Sequence, residues 1–170
     1  GGKQGLYDAI LHEALVPARD AVRELRDRDL PAETLLRELV ATISKQMGEY
    51  PALAPMIVRE AMSGGRHLEE SFVPVVVELF GGLATIIQRG VDEGAFRSVD
   101  PFRTHLAIIG PIAFFHATRP FRERLVDQQM IPAEHVSNDE FAQHVADLVL
   151  DGLKGQGPGA VPGREKGAQR

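Results

Sequence analysis

A chemical site in this chain would have to be assembled from six histidines and scattered carboxylates, because the sequence contains no cysteine. Disulfides, thiolate zinc sites and cysteine nucleophiles are therefore excluded. His12-Glu13 opens like the H-E-x-x-H zinc motif, but position 16 is Val, so the second imidazole is missing. No Glu is followed three residues later by His, which removes the ligand pattern of dinuclear metal sites in helical bundles. There is no G-x-S-x-G nucleophile elbow and no G-x-x-x-x-G-K-[ST] phosphate loop. Gly155-x-Gly157-x-Gly159 follows no strand and reads as a linker. The sequence thus offers no catalytic residue, no metal ligand set and no cofactor motif, and it reads as a non-enzyme.

Two local groups suit binding better than catalysis. His116 follows a long apolar run and adjoins Thr118 and Arg119. It is either a core histidine bonded to a neighbour or a polar anchor inside an apolar pocket. Arg59-Glu60 lies among Met56, Ile57, Val58 and Met62. It is either a surface pair or a source of one inward charge, and an inward Arg59 would suit an anionic or carbonyl-bearing ligand. His12, His67, His135 and His144 fall on polar faces or near helix ends, and His105 is ambiguous.

These groups sit on helices. Apolar residues recur at helical spacing almost throughout, and no period-2 strand is evident. A first helix is predicted from about Lys3 to Arg28, with Pro17 inside it as a kink. A second starts at Pro31 and ends near Gly48, and a third spans about Pro51 to Met62 and is closed by Gly64-Gly65. A fourth covers about His67 to Glu93, and its Gly81-Gly82 pair predicts close approach of another helix. Asp100-Pro101 starts a fifth helix reaching about Arg124, apolar almost all round between Leu106 and Phe115, with Pro111 as a bend. The last opens with the capping box Ser137-x-x-Glu140 and a staple pairing Val136 with Phe141. It carries two apolar stripes. Phe141, Val145 and Leu148 are expected to face their own domain; Ala142, Ala146, Val149, Leu150 and Leu153 are expected to face a partner. The Gly- and Pro-rich segment 154–170 is expected to be disordered.

Bulk properties agree with one helical domain. The 170 residues are 44% hydrophobic but only 6% aromatic, a palette that favours helix on helix over sandwich or barrel. A net charge of −5 argues against the basic face that nucleic-acid binding by these residues alone would need. The apolar run from Leu106 to Phe115 is far short of the roughly 20 residues that cross a bilayer, and no secretory signal opens the chain.

Several strings taken together resemble the TetR family of transcriptional regulators. Gly1-Gly2-Lys3-Gln4-Gly5-Leu6-Tyr7 is similar to the end of that family's DNA-binding head, where it enters the helix linking head to ligand domain. Tyr50-Pro51-Ala52-Leu53, Ile57-Val58-Arg59-Glu60, and Gly90-x-x-x-Gly94-x-Phe96-Arg97 followed by Asp100-Pro101 resemble its regulatory domain. The resemblance implies an all-α fold of about six helices, with the last two in a dimeric four-helix bundle. Residues 1–5 would be a remnant of the helix-turn-helix head and residues 6–153 the ligand-binding and dimerisation domain. Lys3 matches a family lysine that contacts a DNA phosphate.

The function so implied is that of a cytoplasmic, homodimeric repressor whose sensor part releases operator DNA when a small apolar effector binds. Operator contact would run through a head preceding these residues, without membrane association. Expected pocket residues are Met56, Arg59, Phe72, Val76, Phe80, Phe114 and His116, between the first, fourth and fifth helices. A helical dimerisation scaffold without ligand is the alternative, and a helical enzyme a more distant one.

Overall fold

The computed structural model describes residues 3–65, 73–133 and 137–154. Among them there are seven helices and no strand: α1 (Lys3–Arg26), α2 (Ala32–Glu49), α3 (Leu53–Ser63), α4 (Val73–Asp92), α5 (Pro101–Ala117), α6 (Arg119–Asp127) and α7 (Asn138–Lys154). The fold is all-α, as the periodicity predicts. Phe72, His67, His135, the Val136 half of the staple and the segment 155–170 lie outside the described residues.

Helix α2 forms the centre. It packs against α1, α4, α5 and α7, and Leu35, Leu36, Leu39 and Val40 are almost wholly buried. A helix surrounded on that many sides needs apolar residues beyond a single stripe, which the Leu35-Leu36 and Leu39-Val40 pairs supply. Its start is held from another element, since Glu93 accepts a hydrogen bond from the Ala32 amide at 3.1 Å. Glu33 in its first turn forms an ion pair with Lys154 at 2.6 Å, joining the beginning of α2 to the end of α7.

The sequence signals at helix ends act as their chemistry requires. Gly64 closes α3 with φ of 77°, and Gly65 donates back to the Glu60 carbonyl at 3.0 Å, a glycine stop that satisfies the last carbonyls. Asp100 caps α5 by accepting from the amides of Phe102 and Arg103. Ser137 caps α7 by accepting from the Glu140 amide at 3.3 Å. At the end of α4, Gly94 takes φ of 73° and the amides of Ala95 and Phe96 both donate to the Gly90 carbonyl. The turn lays the Phe96 ring on Gly90, where a Cβ would stand 2.0 Å from a ring carbon.

Two expectations are corrected. The fifth helix ends at Ala117, not near Arg124, and a separate short helix follows. Pro120 has no amide proton and its ring would collide with the carbonyl four residues earlier, so the helix breaks at Thr118 and restarts. On α7 both stripes pack against the chain's own core, with Val145 buried and Phe141 stacked on Phe115, so the stripe expected to face a partner turns inward. Ala142, Ala146, Leu150 and Leu153 are each at most 4% exposed, Val149 is half-buried, and α7 packs against α2 and α5 of its own chain. Leu148, from the stripe assigned to the interior, is instead 60% exposed. Periodicity shows that a helix has apolar faces but not which neighbour covers each one.

By length and composition α4 is apolar enough to cross a bilayer; in this fold it packs against α1, α2 and α5. Its glycine pair divides sharply. A Cβ on Gly82 would stand 2.3 Å from Val22 Cγ1, whereas one on Gly81 meets nothing within 4 Å. Gly82 is therefore where the Val22 side chain of α1 packs directly onto the α4 backbone. Substitution Gly82→Ala is expected to destabilise by about 1–3 kcal/mol through overpacking, and Gly81→Ala to stabilise by about 0.5–1 kcal/mol through helix propensity. Urea denaturation of both variants checks this; equal effects would refute the assigned contact.

Candidate ligand-binding site

A cavity of about 360 Å³ lies between α1, α2, α3, α4 and α5, within the usual size range of small-molecule sites. Helix α1 contributes Leu11, Leu15, Ala18 and Val22, and α4 contributes Val76, Leu79 and Leu83. Helix α2 supplies Leu39, Thr42, Ile43, Gln46 and Met47, α3 supplies Leu53, Ile57, Glu60 and Ala61, and α5 supplies His105 and Ile109. Ala61, Gly65 and Val76 are exposed and form its mouth; Leu39, Leu53 and Leu83, at most 2% exposed, form its depth.

The spacing on α1 explains its part in this wall. Leu11, Leu15, Ala18 and Val22 recur at four, three and four residues, one continuous face of a helix. Pro17 lies on the exposed side of that helix. Gln46 binds α1 to α2 by donating to the Ala14 carbonyl at 3.0 Å, in the turn that the proline disturbs. The same glutamine borders the cavity, so the contact between the two helices is also a feature of the site.

Polar groups on the wall are few. They are Thr42, Gln46, Glu60 and His105, and among the described residues no Lys or Arg lines the cavity. His105 packs edge-on against Phe80, with centroids 5.6 Å apart. Burial pushes its imidazole below the ordinary value of 6.5, which favours the neutral ring at pH 7. A neutral imidazole has one donor and one acceptor nitrogen. Glu60 is only 6% exposed, although its neighbour Arg59 is exposed.

The expected pocket residues are dispersed by this geometry. Val76 lines the cavity. Phe80 stands behind His105 and also meets Phe102 edge-on at 5.9 Å. Met56 is buried in the core without lining the cavity, and Arg59 and Phe114 point to solvent, the latter 65% exposed. The inward member of the Arg59-Glu60 pair is the carboxylate. No periodicity argument separates adjacent residues by charge, and both positions border the same apolar stripe.

His116 belongs to a different cluster. Its Nε2 lies 3.0 Å from Ser44 Oγ, with both residues buried. Burial, then the nearby charges of Arg122 and Arg119, hold its imidazole below 6.5. Beside it Phe115 stacks on Phe141 at 4.0 Å, and the Arg122 guanidinium lies 3.5 Å from the Phe115 ring centroid. Arg122 donates to the Phe115 carbonyl and to Thr118 Oγ1. This cluster ties α5, α6 and α7 together. A buried Ser–His pair resembles a hydrolytic dyad, but neither residue borders the cavity, and the two satisfy each other's polar groups in the core. Among the described residues no group of three His, Asp or Glu side chains is arranged to hold a metal. A second hollow, beside Thr85, Gln88, Arg89, Asp92 and Glu93, lies on the outer side of α4 and is open to solvent.

With the fold and cavity described, comparison places the chain. A family model described as the tetracyclin repressor-like, C-terminal domain matches residues 31–149. The match covers well over half of the sequence, and the chain belongs to this family of regulator C-terminal domains. No curated protein and no solved structure matches it.

Proposed function

We propose that this chain is the effector-sensing and dimerising part of a ligand-responsive transcriptional repressor acting in the cytoplasm. The observation that carries the reading is the apolar cavity with α1 as one wall. In the proposed arrangement α1 leads toward a helix-turn-helix head, and Lys3 at its start lies near a DNA phosphate. A molecule seated against Leu11, Leu15, Ala18 and Val22 favours one position of α1 over another. In a dimer the two recognition helices must stand about 34–36 Å apart to enter successive major grooves. A ligand that prefers the wrong spacing weakens operator binding by shifting populations.

Homodimerisation fits the outward face of α5. Phe102, Leu106 and Phe114 are 56%, 51% and 65% exposed, and exposed Gly110 completes their four-residue spacing. A contiguous apolar strip of this kind marks an interaction surface, and with Leu148 exposed on α7 it replaces the buried α7 stripe as the proposed contact. The wild-type chain is expected to sediment as a dimer at micromolar concentration, and Leu106→Arg/Phe114→Arg as a monomer. A monomeric wild type would refute this interface.

The cavity is tested with n-octanol as an apolar probe. Saturation at 100 times its Kd should stabilise by about 2.7 kcal/mol, raising Tm by roughly 5–10 °C for a chain of this size. Ala18→Phe, which fills the space from α1, should remove most of that rise. Absence of stabilisation in the wild type would argue for a dimerisation scaffold without ligand.

A further inference from the structure

We infer that the cavity takes a hydroxyl-bearing apolar ligand, an alcohol or a phenol, whose oxygen is held by the His105 imidazole. The inference rests on the ligand-binding reading above and adds to it the ligand's polar group and the residue that recognises it. Among the described residues the polar side chains on the wall are Thr42, Gln46, Glu60 and His105. The first three are already committed. The Thr42 hydroxyl donates to the Glu38 carbonyl of its own helix at 2.7 Å. The Gln46 amide is held to α1 by its bond to the Ala14 carbonyl, and Glu60 is engaged within the protein. His105 is different. Among the described residues it makes no hydrogen bond and no ion pair, and its ring is placed by edge-on packing against Phe80.

A half-buried imidazole on an apolar wall gives up water without gaining a partner in the protein, and a ligand atom that bonds to it restores the loss. Burial keeps the ring neutral at pH 7, so one nitrogen donates and the other accepts. A hydroxyl also both donates and accepts, and it therefore bonds to either nitrogen, whichever carries the proton. The position of the ring completes the picture. On α4 the wall descends from Val76 at the mouth to Leu83 in the depth. Phe80 lies between them in the chain, so the imidazole it supports stands part-way down. A ligand with its oxygen there places its apolar body among Leu39, Leu53 and Leu83.

The test compares two probes of nearly one shape, 4-ethylphenol and ethylbenzene, titrated calorimetrically into the full chain at pH 7. Water holds the phenol more strongly, so a cavity without a polar anchor binds ethylbenzene more tightly. With His105 as anchor, 4-ethylphenol is expected to bind at least about threefold more tightly than ethylbenzene. His105→Phe keeps a ring against Phe80 and removes both nitrogens. It should weaken 4-ethylphenol by about five- to tenfold and leave ethylbenzene within about twofold. The wild-type order carries the test even if the variant folds poorly. Equal or tighter binding of ethylbenzene to the wild type overturns the inference and leaves the apolar cavity standing. Undiminished affinity for 4-ethylphenol in a folded His105→Phe protein also overturns it. Failure of both probes to bind overturns the cavity reading and this inference together.

Discussion

The close approach of α1 to α4 at Gly82 is the constraint on which the site depends. There is no room for a methyl group between Gly82 and Val22, so the Val22 side chain rests directly on the α4 backbone at that turn. Leu15, Ala18 and Val22 on one helix and Val76, Leu79 and Leu83 on the other line the space that opens along the pair. The glycine contact fixes how closely Val22 approaches α4, beside the cavity that both helices line. Because α1 forms one wall of the cavity, the proposed sensing mechanism has a ligand there bear directly on α1.

The other walls are firmer. Helix α2 is surrounded by four neighbours and tied at its start by Glu93 and Lys154. Its far end is tied by the Ser44–His116 bond to α5. Helix α5 is fastened further through the Phe115, Phe141 and Arg122 stack. By contrast α1 is joined to the rest by apolar packing, by the Gln46 bond and by partly exposed ion pairs of Arg19 and Arg23 with Glu78. In the proposed mechanism α1 is the wall that moves.

Much of this organisation was legible in the sequence because it rests on local rules. Asp100-Pro101, Ser137-x-x-Glu140 and Gly64-Gly65 mark helix ends through hydrogen bonds within a few residues, and those ends lie where the chemistry predicts. The Gly81-Gly82 pair announced a close approach, although only the structure shows that Gly82 makes it. Pro120 was a readable break that the apolar run before it obscured. What sequence could not supply was the partner of each face. The small residues of α7 look suited to a second protomer but are consumed by α2 and α5. Phe114 and Arg59 sit beside apolar residues in the chain but turn outward, while Glu60, Gln46 and Leu11 turn inward. Those directions follow from how five helices meet, a property that no local window contains.

In the proposed mechanism, ligand binding moves α1 against the body of the domain. The absence of cysteine allows clean spin labelling at two introduced sites, with Glu13 on α1 and His144 on α7 as exposed positions. Pulsed electron resonance on doubly labelled chains diluted with unlabelled protein gives the distance within one protomer. Saturating n-octanol is predicted to shift that distance by about 1–2 Å or more, the scale of helix displacements in switching proteins. An unchanged distance distribution, with octanol demonstrably bound, would contradict the account.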